Sequence, residues 1–138
     1  MKFDIRSISS TGCAVEGFLK QEDFCVRIHE IECLAPIQLS GRIEKTSAMV
    51  RAQINVKTVF RYICGRCLET CDKEFCEHLD LHYPVESQEN YIDIGEDVRQ
   101  EILLGFPDRV VCQDQCKGLC PRCGVNLNQE QCGCGKNE

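Results

Sequence analysis

The sequence contains no long apolar run and no excess of positive charge. Its most apolar stretch, residues 102–106, is far shorter than the roughly 20 residues that a membrane helix needs. The opening segment MKFDIRSISS also lacks the apolar centre of a secretory signal. The net charge of -6 argues against indiscriminate binding to nucleic acid, because such binding depends mainly on neutralising phosphates. These absences predict a cytoplasmic protein that makes no contact with membranes.

Motifs of catalysis are missing as well. There is no GxSxG, P-loop or GxGxxG motif, and no Ser/His/Asp set can be assembled. His29 stands alone, while His78 and His82 are expected to face solvent on a strand rather than to bind metal. We therefore expect a protein that is not an enzyme and takes no small-molecule substrate.

Cysteine is what the sequence has in abundance, with 13 in 138 residues. In a chain without a secretory signal, clustered cysteines bind metal more often than they form disulfides. The segment CPRCG, residues 120–124, is typical of a zinc knuckle, in which a tight turn aims Cys120 and Cys123 at one ion. Cys132 and Cys134 follow nearby and complete a local set of four ligands for tetrahedral zinc.

A second site of four cysteines is predicted from the pairs that remain. Cys112 and Cys116 form one pair, and Cys64 and Cys67 in the segment CGRC form another of similar size. A rival division would place the CGRC pair with the two knuckle cysteines. The local division is favoured because closing a short loop costs less chain entropy, a margin of about 1 kcal/mol. Two Zn²⁺ ions are the expected cofactors, although four cysteines also hold iron–sulfur clusters. The eight predicted metal ligands are Cys64, Cys67, Cys112, Cys116, Cys120, Cys123, Cys132 and Cys134.

The cysteines outside these sites lack ligand spacing and are expected to be small buried residues or bystanders. Cys71 and Cys76 lie close enough to the CGRC segment to replace Cys67 as a ligand. An alternative hypothesis makes Cys64 and Cys67 a dithiol for thiol redox chemistry or metal sensing. Such dithiols usually lie at a helix N-terminus, whereas a strand is predicted on each side of this one. The remaining cysteines are Cys13, Cys25, Cys33, Cys71 and Cys76.

Apolar and polar residues alternate over residues 50–62 and again over 74–83, which predicts two long antiparallel strands with CGRC at the tip of their hairpin. Shorter strands are predicted for residues 13–19, 24–29 and 37–44, the first two as a hairpin. A helix should begin at the cap Asp93, with Glu96 three residues on, and end near Pro107. We predict an α+β fold, mainly antiparallel β-sheet with one principal helix and a C-terminal zinc-knuckle tail. The core of residues 1–110 and the tail of residues 111–138 would form a single domain.

Charge is distributed unevenly along the chain. Residues 42–73 hold seven basic and three acidic residues, whereas residues 74–103 hold nine acidic residues and one basic. Basic side chains on the polar face of the first long strand could follow a phosphate backbone, but exposed aromatics for base stacking are missing. An ordinary polar sheet surface is the simpler interpretation. The candidate nucleic-acid-binding residues are Arg51, Lys57, Arg61 and Arg66.

Three segments in the second half of the chain, CGRCLE, DIGEDVRQEILLGFP and CKGLCPRCGVNLN, occur at residues 64–69, 93–107 and 116–128. In these segments and their order the chain resembles the YceD family, the large ribosomal RNA subunit accumulation proteins. The resemblance implies a non-catalytic factor that supports accumulation of the large ribosomal RNA and biogenesis of the large ribosomal subunit. Its partner would be ribosomal RNA or a basic large-subunit ribosomal protein. The cysteines at positions 71 and 76 depart from the family's usual pattern.

Overall fold

One long strand, β5, organises the sheet in the computed structural model, which describes residues 1–24, 31–86, 90–106 and 109–136. Every second side chain of β5 is buried, because the side chains of a strand alternate between its two faces. The strands are β1 (Lys2–Asp4), β2 (Cys13–Leu19), β3 (Glu32–Cys33), β4 (Ile37–Lys45), β5 (Met49–Ile63), β6 (Thr70–Pro84) and β7 (Tyr91–Asp93). The helix is α1 (Ile94–Gly105), and short 3-10 helices cover Ile5–Ser7, Gln21–Phe24 and Gly133–Lys136.

All the described strand pairs are antiparallel. β4 and the short β3 pair with successive parts of β5, and β2 pairs with β4 on its far side. β6 pairs with β5 along its whole length, from Met49 opposite Pro84 to Ile63 opposite Thr70. This long hairpin carries the CGRC segment at its tip, beyond the last residues of the sheet.

The buried face of the sheet forms the core together with α1. Asp93 caps the helix by accepting a hydrogen bond from Glu96 N at 3.3 Å. Tyr83 Oη on β6 donates to Asp97 Oδ2 on the helix at 2.5 Å, which fixes the helix against the hairpin. The largest fully buried side chains from β4, β5 and the helix are Ile37, Leu39, Ile43, Val50, Ile54, Val56, Ile94, Val98 and Ile102.

The predicted fold class is confirmed, and so are the strands expected at residues 13–19, 37–44, 50–62 and 74–83 and the start of the helix. The partner described for β2 is β4, with Cys13 opposite Ile43. The strand predicted at residues 24–29 lies outside the described residues except for Phe24, which ends a 3-10 helix. Pro107, predicted to stop the helix, also lies outside them, and α1 ends at Gly105. Among the described residues, no helix is long and apolar enough to cross a membrane.

Candidate metal centres

Four cysteines converge where the β5–β6 hairpin meets the chain that follows α1. Cys64 and Cys67 lie in the turn between the two strands, and Cys112 and Cys116 come from beyond the helix. We call these four the hairpin site. Their sulfurs all lie within 4.8 Å of one another. The Sγ atoms of Cys64 and Cys116 are 3.8 Å apart, and those of Cys67 and Cys112 are 3.7 Å apart.

The hairpin site is buried, and hydrogen bonds join its turn to the chain that follows α1. Cys64 is 0% exposed and Cys116 is 5% exposed. In the turn, Gly65 N donates to Val110 O at 2.8 Å. Arg66 Nη1 donates to Cys116 O at 3.1 Å. The hairpin tip therefore holds the incoming chain in place on both sides of Cys112.

A second set of four cysteines lies within the last part of the chain, and we call it the tail site. It consists of Cys120, Cys123, Cys132 and Cys134, whose sulfurs also lie within 4.8 Å of one another. Cys132 Sγ is 3.1 Å from Cys120 Sγ and 3.5 Å from Cys123 Sγ. Cys120 is buried but Cys123 is exposed. This site is therefore open to solvent on one side.

The two sites contain the same backbone turn. In the hairpin site Leu68 N donates to Cys64 O at 3.0 Å, and in the tail site Gly124 N donates to Cys120 O at 2.9 Å. The donor residue is left-handed in both turns, with φ of 60° at Leu68 and 75° at Gly124. Glycine adopts this conformation without steric cost, whereas leucine does not. The zinc-knuckle turn inferred for CPRCG thus recurs at CGRC with a leucine in the glycine position.

Hydrogen-bond donors surround the sulfur of Cys64. The backbone N–H groups of Arg66 and Cys112 donate to it at 3.4 and 3.2 Å. Burial opposes ionisation of Cys64, but these donors and the Cys67 N–H outweigh it and lower the pKa of the thiol to about 6. At Cys112, by contrast, burial and the neighbouring thiols of Cys116 and Cys67 raise the pKa. The first thiolate therefore forms readily, and its negative charge opposes ionisation of the neighbouring thiols. A bound cation would offset this repulsion.

In the tail site, too, the pKa of one thiol is lowered while that of a neighbouring thiol is raised. The backbone N–H of Cys123, with help from the Cys132 thiol, lowers the pKa of Cys120 to about 6. The thiols of Cys132 and Cys123 raise the pKa of Cys134 to about 12. Cys134 N donates to Cys132 Sγ at 3.2 Å. A positive charge between the four thiols would favour their ionisation together.

The donor set fits a metal ion in each site, and the sulfur spacing is close to ideal in the hairpin site, whereas separations of 3.1 and 3.5 Å in the tail site are shorter. Four sulfurs about 2.3 Å from one tetrahedral ion are about 3.8 Å apart, which is close to the separations of 3.7 and 3.8 Å in the hairpin site. All the cysteines among the described residues are free. The CGRC pair lies with Cys112 and Cys116, as in the division favoured from loop length, and not with Cys120 and Cys123. That the eight cysteines are ligands stays a prediction.

The basic side chains singled out on β5 each face a carboxylate on β6. Three cross-strand ion pairs are present: Arg51–Asp80 at 2.6 Å, Lys57–Glu74 at 2.9 Å and Arg61–Asp72 at 2.8 Å. All six side chains remain partly exposed to solvent. Arg66, at the tip, instead directs its guanidinium at backbone carbonyls of the tail. Acids of β6 therefore pair with the three basic candidates on β5. That the four basic candidates bind nucleic acid stays a prediction.

The other thiols and histidines among the described residues lie outside both sites. Cys71 is half-buried and packs against the hairpin site without joining its four sulfurs, and Cys76 is exposed. Within the described residues, therefore, neither replaces Cys67 in the group of four. His78 contacts Asn55 Oδ1 at 2.8 Å, and His82 contacts a carboxylate, both on the exposed face. Cys25 and His29 lie outside the described residues.

Asn128 is a residue of the site that the sequence analysis missed. It lies in the loop between Cys123 and Cys132, yet its Nδ2 donates to the sulfur of Cys116 in the hairpin site at 3.4 Å. Its Oδ1 accepts from Lys117 N at 2.9 Å. Ligand spacing gives no sign of this contact, because Asn128 and Cys116 meet only after the tail has folded.

Comparison with known proteins identifies a family and two relatives for this chain. A family model described as large ribosomal RNA subunit accumulation protein YceD matches residues 52–138, a span that contains both sites. Two chloroplast proteins, each named large ribosomal RNA subunit accumulation protein YCED homolog 1, match shorter segments. The protein from Arabidopsis thaliana is 41% identical over 58 residues, which cover 42% of this chain and 17% of that protein. The protein from Zea mays is 44% identical over 55 residues, which cover 39% of this chain and 18% of that protein. The matched segment therefore spans less than a fifth of either relative. No solved structure matches the chain.

Proposed function

The chain belongs to the YceD family, and from this premise we propose that it is a non-catalytic, zinc-binding factor that supports accumulation of the large ribosomal RNA. The observation that carries the proposal is the family match over residues 52–138. That span includes β5 from Ala52 onward, all of β6, helix α1 and all eight clustered cysteines. The proposed process is biogenesis of the large ribosomal subunit.

Zinc is the proposed metal because of the donor set. Each site offers four sulfurs that converge on a single point, which suits one tetrahedral zinc ion. An iron–sulfur cluster needs space for several irons between its cysteines, and sulfurs within 4.8 Å of one another leave little such space. A site filled by four thiolates keeps no open position for a substrate, which supports a structural role for the ions and a non-catalytic protein.

A basic large-subunit ribosomal protein fits the surface charge better than ribosomal RNA does. Carboxylates on β6 already pair with Arg51, Lys57 and Arg61, and the chain keeps a net charge of -6. Phosphates would have to compete with those carboxylates for the same cations. We therefore propose a protein contact first and keep direct RNA contact as the alternative.

Metal content and effect on ribosomal RNA test the proposal. Elemental analysis of the purified full chain should find about two zinc ions per chain, one for each group of four sulfurs. In cells that lack the protein, the ratio of large to small ribosomal RNA should fall, and the natural chain should restore it. An unchanged ratio would contradict the proposed role, and iron in place of zinc would contradict the proposed cofactor.

Charge reversal separates the two kinds of partner. Arg51, Lys57 and Arg61 are changed together to Glu, and the variant and natural chain are used to retain ribosomal components from lysate with and without ribonuclease. A protein partner should remain bound to both chains after ribonuclease treatment. If RNA is the partner, ribonuclease should abolish retention, and the variant should retain less RNA than the natural chain does.

Thiol redox chemistry or metal sensing at Cys64 and Cys67 is the second candidate. One observation favours it: the backbone N–H groups of Arg66 and Cys112 donate to the Cys64 sulfur at 3.4 and 3.2 Å. Against the effect of burial, such donors lower the pKa of this thiol to about 6 and favour the thiolate. A metal ion would block that reactivity, since the same sulfur would be a ligand. Alkylation of the zinc-loaded chain, mapped by mass spectrometry, decides between them. If Cys64 and Cys67 are unreactive while Cys76 reacts, the redox candidate fails.

A further inference from the structure

We propose that Asn128 couples the two sites, so that the hairpin site reaches its full metal affinity only when the tail site is loaded. The inference rests on the proposed function in one respect, that both sites bind zinc. By sequence, Asn128 belongs to the tail site, since it lies between Cys123 and Cys132. By contact, its side chain belongs to the hairpin site.

The Asn128 amide is held at both ends. Its Nδ2 donates to Cys116 Sγ at 3.4 Å, and its Oδ1 accepts from Lys117 N at 2.9 Å. The backbone N–H of Asn128 donates to Asn126 Oδ1 at 3.0 Å, and Nδ2 donates to the same oxygen at 3.0 Å. Because Oδ1 is occupied by the Lys117 N–H, the amide has one orientation, and in that orientation its donor faces the sulfur.

The loop that carries this side chain is bonded to the knuckle turn of the tail site: Cys120 N donates to Val125 O and Leu127 N donates to Gly118 O, each at 2.9 Å. Gln129 N and Glu130 N each donate to Asn126 O at 3.0 Å, which closes a turn inside the loop. Among the described residues of the loop, none belongs to the hydrophobic core. An ion that ties Cys123 to Cys132 would therefore fix the loop, and with it the donor that the hairpin site receives.

A hydrogen-bond donor aimed at a ligand sulfur holds that ligand in the orientation in which it meets the metal. Partners of this outer kind typically change metal affinity about 10–100-fold when they are removed. If the loop is already formed, the donor reaches Cys116 without further ordering of the chain. If the tail site is empty, the loop must first be ordered, and the hairpin site binds more weakly. Linkage makes the effect reciprocal between the two ions.

Four full-length proteins test the coupling. Asn128→Asp keeps the size of the side chain and the acceptor for Lys117 N, but it places a carboxylate oxygen where the donor was. Cys123→Ser combined with Cys134→Ser disables the tail site. The natural chain, each variant and their combination are titrated with Zn²⁺ against a competing chelator. Occupancy of the hairpin site is measured from the amide NMR signal of Gly65, which lies in its turn.

Disabling the tail site should weaken zinc binding at the hairpin site about 10–100-fold in the natural background. In the Asn128→Asp background, the same change should weaken it by a clearly smaller factor. An equal factor in both backgrounds would overturn the role of Asn128, and no weakening in the natural background would overturn the coupling itself. Gln129→Glu, the same amide-to-carboxylate change at an exposed neighbour, should keep the full coupling.

Failure of the proposed function would give a different result. In that case the natural chain would take up no zinc at either site, whatever stands at position 128. The amide signals of Val50 and Ile54, in the core of β5, show whether each variant keeps its sheet. A loss of hairpin-site affinity in a chain whose β5 signals are unchanged can then be attributed to the site and not to unfolding.

Discussion

The hairpin site and the tail site offer the same four donors, but the chain reaches them by different routes. In the hairpin site the sulfurs in contact are 45 and 52 residues apart in sequence, whereas in the tail site they are 9 and 12 residues apart. The hairpin site is buried against the sheet, and the tail site exposes Cys123. One site is therefore a tertiary contact, and the other is a local fold.

From this difference we expect the two ions to have different structural roles. β5 and β6 fix the positions of Cys64 and Cys67 before any metal binds, so an ion there would join the tail to an existing structure. Cys64 directly follows β5, whereas no ligand of the tail site adjoins a strand of the sheet, so an ion in the tail site would take the place of a hydrophobic core. Small folds that lack a sufficient core commonly rely on a metal in this way.

Removal of both ions should have the largest effect, and it should unfold the tail while the sheet stays folded. We expect the backbone amides of residues 112–134 to lose nearly all protection from hydrogen exchange, while Val50 and Ile54 in β5 keep theirs. Apparent zinc affinities of roughly 10–16 kcal/mol in finger peptides far exceed what the few apolar residues of the tail supply. Hydrogen exchange with and without a strong chelator measures this, with zinc-saturated chelator as the control. A tail that stays protected would show that the metals do not organise it.

Loss of one ligand from each site should separate the local site from the tertiary one. Cys64→Ser should reduce zinc affinity at the hairpin site by more than the roughly 100-fold expected of outer partners, and it should free the Gly65 amide from Val110 O. Cys123→Ser should empty the tail site but leave Gly65 bonded. Native mass spectrometry counts the ions, and exchange of the Gly65 amide reports the contact. If both variants release Gly65 equally, the hairpin site does not join the tail to the sheet independently of the tail site.

Much of the fold could be predicted because its signals are local. The alternation of apolar and polar residues over 50–62 predicts a strand whatever its partners are. Asp93 with Glu96 likewise predicts the start of a helix from four residues. The position of Cys64 and Cys67 follows at once, since a turn between two long strands lies at their tip. The pairing of β2 with β4 was harder to predict, because a strand's partner depends on contacts distant in sequence.

The electrostatic environment of the candidate residues was not predictable from the same signals. Composition shows a basic segment followed by an acidic one, but only the register of β5 with β6 places Arg61 beside Asp72 and Arg51 beside Asp80. The contact of Asn128 with Cys116 likewise requires the folded tail. Local pattern thus predicted which residues cluster, whereas their partners across the sheet and between the sites depended on tertiary structure.

The smallest expected effect comes from exchanging the left-handed residues of the two turns. Leu68 has φ of 60° and is 63% exposed, so Leu68→Gly should relieve about 1–2 kcal/mol of strain against about 0.5–1 kcal/mol of added backbone entropy. Zinc affinity at the hairpin site should then rise by up to about tenfold. A Cβ at Gly124 would meet nothing within 4 Å, so Gly124→Leu should cost the tail site only the backbone strain, about tenfold in affinity. Chelator competition measures both changes, with Arg122→Ala as the matched control in the same turn. If Leu68→Gly instead weakens the hairpin site, the leucine side chain contributes more to that site than its backbone strain costs.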